Sequence, residues 1–256
     1  MRLHTPPRWR FRLSSLQRYA RNFNMPLRPL GFSTGSLSPG NARQALAMLS
    51  HHATTAIELS ALRTTELDEV LEVAAGTNWS AFRYISFHAP SKFNGTTEAE
   101  VLRKMKPIIE RQWPIILHPD AITDWAAWEK LGSLVTIENM DGRKPNGRTV
   151  GELESIFARL PEARFCFDIG HATQIDPTMK LARELVTEFG HRLIEVHLSV
   201  VDDAFGHQPL TSESMKNFAP VLRGLVGSSA IILETPVDEK TMVEQLRLVG
   251  SPHVPS

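Results

Sequence analysis

From residue 26 onward two hydrophobic patterns alternate along the chain. Short, near-continuous apolar runs occur at Leu30–Ser33, Ala56–Leu59, Tyr84–Phe87, Ile115–Leu117, Leu134–Ile137, Phe165–Phe167, Leu193–Val196 and Ala230–Leu233. Runs this short, apolar on both faces, predict parallel strands covered by helices. Between them lie segments of helical period: Ala42–Ser50, Thr65–Ala75, Thr97–Gln112, Thr123–Leu131, Thr149–Leu160, Pro177–Phe189, Ser212–Leu225 and Glu239–Leu248. Several open on start signals, such as Thr97 before Glu98 and Glu100, and Asp176 as an N-cap before Pro177. Gly132 and Gly190 stand where C-caps are expected.

Eight strands alternating with eight helices in 256 residues predict an α/β fold, a single-domain (β/α)8 TIM barrel. The rival is a doubly wound open sheet. No G-x-G-x-x-G follows the first strand, and "STGSLSPG" has the wrong spacing and no phosphate lysine. The barrel is assigned to residues 26–250, and residues 251–256 to a tail.

Composition narrows the class. No stretch approaches the length of an apolar membrane span, so a membrane is not an expected partner. Cys166 is the single cysteine, so no intrachain disulfide forms. That suits a cytoplasmic location, and its place in an apolar strand predicts a buried, inert thiol. The zero net charge hides an asymmetry: residues 1–24 carry six arginines and no acid, and the remainder carries 22 Lys and Arg against 28 Asp and Glu. Such a start reads as an organellar transit segment, or as a leader before an alternative first residue at Met25. Residues 1–25 are therefore set outside the fold. The body is mildly acidic, which gives no general help to nucleic-acid binding.

The chemistry lies where strands stop. Strand two carries Glu58 in "AIELS"; strand three ends "ISFHAP" with His88; strand four ends "IILHPD" with His118 and Asp120. Strand five ends "VTIENMDGR" with Glu138 and Asn139, and strand six "FCFDIGHA" with Asp168 and His171. Strand seven ends "IEVHLS" with His197, its loop carries His207 in "FGHQPL", and strand eight ends "IILETP" with Glu234. One such histidine is ordinarily a hydrogen-bonded structural residue. A barrel brings the whole set to one rim, where mutual repulsion and desolvation are costly without a positive charge among them. Imidazoles and carboxylates without thiolate are the ligand set of Zn²⁺, Mn²⁺ or Fe²⁺. Glu58 either points into the barrel or toward a substrate, or is a buried acid paired with an arginine. Trp125 and Trp128, three apart on a helix, predict core contacts.

The segments "FHAP", "LHPD", "IENMDG", "FDIGHA", "VHLS" and "ILETP", in this order within residues 28–236, resemble the xylose isomerase-like barrel superfamily and, within it, the endonuclease IV (AP endonuclease family 2) branch. The resemblance implies one to three divalent ions per chain. His88, His118 and Glu138 would hold one; Glu138 would bridge to a second, held also by Asp168, His197 and Glu234; His171 and His207 would serve a third. Two positions depart from that pattern. Phe205 stands where the family has an acid for the third metal, with only Asp202 and Asp203 nearby, and Ser91 stands where the endonuclease branch has a DNA-probing tyrosine.

Two activities follow from the resemblance. The first is hydrolysis of a phosphate ester or phosphodiester, with a small phosphate ester or DNA as substrate. The second is isomerisation or epimerisation of a sugar or sugar phosphate at one metal. There Glu138 and Glu234 would exchange protons with carbon, and His171 and His207 would touch substrate oxygens. Asn139 and Glu58 complete the expected site as substrate contacts. The paired histidines of strands three and four tip the expectation toward the hydrolase. A barrel that binds its ligand without turning it over is the third alternative.

Overall fold

Each apolar run forms a strand, and in several the polar residue that follows belongs to the strand as well. The strands are β1 Leu30–Ser33, β2 Ala56–Ser60, β3 Tyr84–His88, β4 Ile115–Leu117, β5 Val135–Glu138, β6 Arg164–Asp168, β7 Leu193–Leu198, β8 Val200–Val201, β9 His207–Gln208 and β10 Ala230–Leu233. In this computed structural model, residues 28–225 and 228–250 are described; the Arg-rich segment 1–25 and the tail 251–256 lie outside them. Eight strands close a parallel barrel in the order β1-β10-β7-β6-β5-β4-β3-β2, and β8 and β9 make a separate antiparallel pair. The chain is a single-domain (β/α)8 barrel.

Strand alternation divides the structure into two regions. Outward side chains such as Phe87, Ile115, Ile137, Phe165, Phe167, Val196 and Leu198 join the helices in one apolar core. Inward positions are polar: Glu58, Ser86, His88, Thr136, Glu138, Asp168, Glu195 and His197 are all buried. Apolar inward positions are Ile116 and Cys166 and a small cluster of Ala56, Ala230 and Ile232 with Tyr84 against it.

The helices follow the predicted order with local differences. The segment expected as one helix over Thr97–Gln112 forms two, Glu98–Lys104 and Lys106–Glu110. Pro107 has no N–H to donate and starts the second helix instead of continuing the first. Thr97 and Glu100 form the capping box of the first. The Glu98 carboxylate accepts from Thr123 N, Asp124 N and Trp128 Nε1 at 2.8–3.0 Å, which ties the loop after β4 to the loop after β3. Asp176 does not cap at Pro177. The helix is Lys180–Phe189, after Met179 at φ 63°, and Asp176 reaches forward to accept from Leu181 N at 2.8 Å. Gly190 lies in the right-handed region and leads into a 3-10 turn, so it is not a left-handed C-cap. Three elements lack a sequence forecast: the helices Thr34–Leu37 and Ile169–Ile175, and the β8–β9 hairpin.

Candidate metal centre

The "FDIGHA" segment shows how local folding builds the site. Asp168 ends β6 and is also the N-cap of the helix Ile169–Ile175. Its Oδ1 accepts the His171 amide at 2.6 Å, which satisfies one helix-start donor. Oδ2 is left buried, with no hydrogen bond among the described residues. Gly170 permits the turn: a Cβ there would lie 2.8 Å from the Ser199 carbonyl oxygen and 3.2 Å from Asp168 Oδ1. Asn139 fastens the neighbouring strand end. Its side chain donates to Asp168 O and accepts from Asp168 N, both at 2.8 Å, extending the β5–β6 ladder by a side-chain pair.

Glu138 is the hub. Its Oε2 lies 3.3 Å from His88 Nε2 and 3.2 Å from His118 Nε2. Its Oε1 lies 3.3 Å from His197 Nδ1 and 3.4 Å from His171 Nδ1. Glu234 Oε2 stands 3.4 Å from His197 Nδ1 and 3.7 Å from His207 Nδ1. These separations exceed those of charge-assisted hydrogen bonds, about 2.7–2.9 Å. They match donors arranged about an ion: atoms bound tetrahedrally at about 2.0–2.1 Å sit about 3.3 Å from one another. Four sets among the described residues converge closely enough to hold a metal: His88, His118 and Glu138; Glu138, Asp168, His197 and Glu234; Asp168, His171 and His207; and, deeper in the barrel, Glu58, Glu195 and His197. The donor chemistry, with an Asp168 oxygen inside it that makes no hydrogen bond among the described residues and lies 3.5 Å from His171 Nδ1, fits divalent Zn²⁺, Mn²⁺ or Fe²⁺.

Hydrogen bonds select the nitrogen each histidine offers. His88 Nδ1 is 3.0 Å from Ala89 O and His171 Nδ1 is 2.9 Å from Asn139 O. Donation there leaves Nε2 as the free lone pair on each ring. His197 is reversed: Nε2 lies 3.1 Å from Glu58 Oε2 and 3.3 Å from Glu195 Oε1, so Nδ1 faces the centre.

The protonation pattern is that of crowded acids and imidazoles held out of water. Burial alone would lower His88, but its hydrogen bond to Glu138 and the charges of Glu58 and Glu234 raise it to about 9. Burial, helped by Glu138 and Glu234, lifts Asp168 to about 6 against the pull of His171 and His207. Burial would raise Glu138 too, yet His197 and His118 hold it well below the usual carboxylate range. Glu234 is likewise lowered against its burial by His197 and His207. The neighbouring carboxylates thus favour the charged forms of His88, His171 and His197, whereas burial lowers His118.

The expected histidines converge here with Glu138, Asp168 and Glu234, and Asn139 and Glu58, expected as substrate contacts, lie directly against Asp168 and His197. Asn139 is fully buried and committed to Asp168. Glu58 is fully buried inside the barrel and paired with His197 rather than an arginine. Asp202 is occupied in closing the β8–β9 turn, accepting from Gly206 N and Gln208 Nε2 at 2.8 Å. Asp203 is exposed. Neither acid replaces the one absent at Phe205, whose ring lies 4.7 Å from the Arg143 guanidinium.

Three groups near the centre went unread in the sequence. Asp141 Oδ2 lies 4.0 Å from His171 Nε2 while bound by Arg143. Lys144 Nζ lies 2.8 Å from Asp120 and 3.5 Å from His118 Nδ1. Glu195 lies under His197 on the same strand face. Their spacing gave a signal only for Glu195, two residues before a histidine ligand on one strand. Cys166 is fully buried, and burial pushes its thiol well above the ordinary range, as expected of an inert thiol.

No family model matches the chain, and no curated protein matches it. Solved structures do. Endonuclease IV from Thermus thermophilus aligns with a TM-score of 0.52 at 19% identity, covering 86% of this chain and 97% of that one. L-ribulose 3-epimerase aligns at 0.50 and 9% identity, over 86% of each chain. SacUVDE aligns at 0.51 and 13% identity, over 88% of this chain and 98% of that one. No helix among the described residues is long and apolar enough to cross a membrane. With its closed eight-stranded parallel wall, the chain shares the (β/α)8 barrel fold of these structures.

Proposed function

We propose that the protein is a divalent-metal-dependent hydrolase of phosphate esters or phosphodiesters, of the endonuclease IV type. The observation that carries this reading is the division of Glu138, one oxygen facing His88 and His118 and the other facing His197. A carboxylate shared in this way would serve both positions of a two-metal site. Divalent ions in such a site supply Lewis-acid polarisation of a phosphoryl oxygen and an acidified water. The chain's own residues do the rest. Asp168, His197 and Glu234 define one position, and His88 and His118 the other. Asn139 fixes Asp168, and the barrel wall keeps bulk water from the deep side of the centre. The endonuclease IV neighbour is in keeping with this reading.

A second reading, a sugar or sugar-phosphate isomerase or epimerase, is favoured by Phe205. Its ring stands under Arg143 where the endonuclease pattern needs a third-metal acid, and an epimerase is among the structural neighbours. That chemistry needs only Glu138, Asp168, His197 and Glu234, with the two glutamates as acid and base.

Metal content by elemental mass spectrometry, on protein purified without chelators, separates the two. Two or more equivalents, with hydrolysis of a phosphodiester or of abasic DNA, is the expected result. One equivalent with turnover of sugar phosphates would overturn it. His118→Ala sharpens the test: it is severe for a dinuclear hydrolase and mild for a one-metal isomerase.

A further inference from the structure

Directly beneath the centre lies a second polar group that takes no part in the chemistry above. Glu58 and Glu195 are both fully buried within the barrel. Each presents one oxygen to His197 Nε2, at 3.1 and 3.3 Å. Glu195 is itself anchored from below: Tyr84 Oη donates to its Oε2 at 2.6 Å and Ser86 Oγ to its Oε1 at 3.1 Å. These residues come from β2, β3 and β7, so the group spans the barrel from one wall to the other.

His197 needs such support where His88 and His171 do not. His88 ends its strand and His171 lies beyond one, so their Nδ1 atoms reach the carbonyls of Ala89 and Asn139. His197 sits inside β7, with Leu198 still in the ladder and paired to Leu233. The backbone carbonyls there are engaged in the sheet, so a side chain must accept from its second nitrogen.

We infer that Glu195, anchored by Tyr84 and Ser86 and assisted by Glu58, is the positioning residue that turns Nδ1 of His197 toward the metal centre. The inference rests on the metal-centre reading. Glu195 touches neither metal nor substrate; it acts through the imidazole, as carboxylates behind metal-bound histidines do.

The test uses the full chain, stripped of metal and titrated with Co²⁺, reading both affinity by chelator competition and the visible spectrum of the bound ion. Glu195→Gln should weaken binding by about 10–100-fold and shift the Co²⁺ bands, while stoichiometry at saturation stays at the wild-type value. Tyr84→Phe, which removes only the anchor of Glu195, should move both readouts in the same direction by less. Should Glu195→Gln fail to fold, Tyr84→Phe decides. Wild-type affinity and spectrum in the folded variants would overturn the inference alone. Loss of one Co²⁺ equivalent at saturation in Glu195→Gln would also overturn it, because the lower cluster would then be holding an ion itself. A wild-type protein that takes up no Co²⁺ would overturn the metal-centre reading and this inference with it.

Discussion

The two faces of each barrel strand are made of the same backbone and do opposite work. On β6, Phe165 and Phe167 point outward into the helical layer while Asp168 points inward; on β7, Val196 and Leu198 face out while Glu195 and His197 face in. The outer face gains from burial, at about 25 cal/mol per Å² of apolar area. The inner face loses from it, because each acid and imidazole there is stripped of water. Substitution should therefore damage the fold from outside the wall and the chemistry from inside it. The interior costs stability, and on the proposed reading a bound cation would offset that cost.

The comparison breaks first at Glu138. Glu138→Gln keeps the size of the side chain and removes the shared charge. Activity should fall by about a thousandfold or more, the several kcal/mol that metal-ion catalysis supplies, together with a loss of bound metal. The far-ultraviolet circular dichroism should stay that of the wild type. Full activity in this variant would end the case for a bridging carboxylate.

The outer face gives the complementary experiment. Phe167 is fully buried in the core outside the wall, one residue before Asp168. Phe167→Ala should cost about 3–5 kcal/mol of stability, read by chemical denaturation. The variant that still folds should bind metal with an affinity near that of the wild type. If affinity fell as steeply as stability, the two faces would not be separable.

Strand placement was legible because apolar runs bounded by turns and separated by helices have few other solutions. The errors at the strand ends share one cause. The sequence reading stopped β3 at Phe87, β5 at Ile137 and β6 at Phe167, whereas His88, Glu138 and Asp168 belong to the ladders. Backbone pairing does not depend on whether a side chain is polar, so a ligand at a strand's end reads as the start of a loop. The convergence of these acids and imidazoles was legible from their recurrence at successive strand ends. Glu195 was not: a lone acid inside "LIEVHL" looks like an interruption until the inward alternation with His197 is applied. The roles of Glu58 and Asn139 were illegible for another reason. Which nitrogen of His197, or which backbone atom of Asp168, stands opposite them depends on barrel closure and on register, and neither is encoded locally.

The smallest effect concerns pH, and it tests whether protons stand in for metal in the interior. His88 has its folded value raised from 6.5 to about 9. A group raised on folding contributes stability in full below its unfolded value and loses it as pH rises through the folded one. His171 and His197 shift the same way, against their burial, because of surrounding groups that include Glu138 and Glu234. Asp168, raised from 3.8 to about 6, has already lost its contribution by pH 6.5. Metal-free protein should therefore melt at progressively lower temperature between pH 6.5 and 9, by about 2–4 °C for each kcal/mol lost. Saturating Zn²⁺ or Mn²⁺ should flatten that slope, since the ion supplies the positive charge that the imidazoles surrender. A metal-free melting curve already flat over this window would mean that the interior acids are neutralised by something other than the histidines. The barrel interior would then be an ordinary satisfied polar core, and the contrast between its two faces would lose its functional meaning.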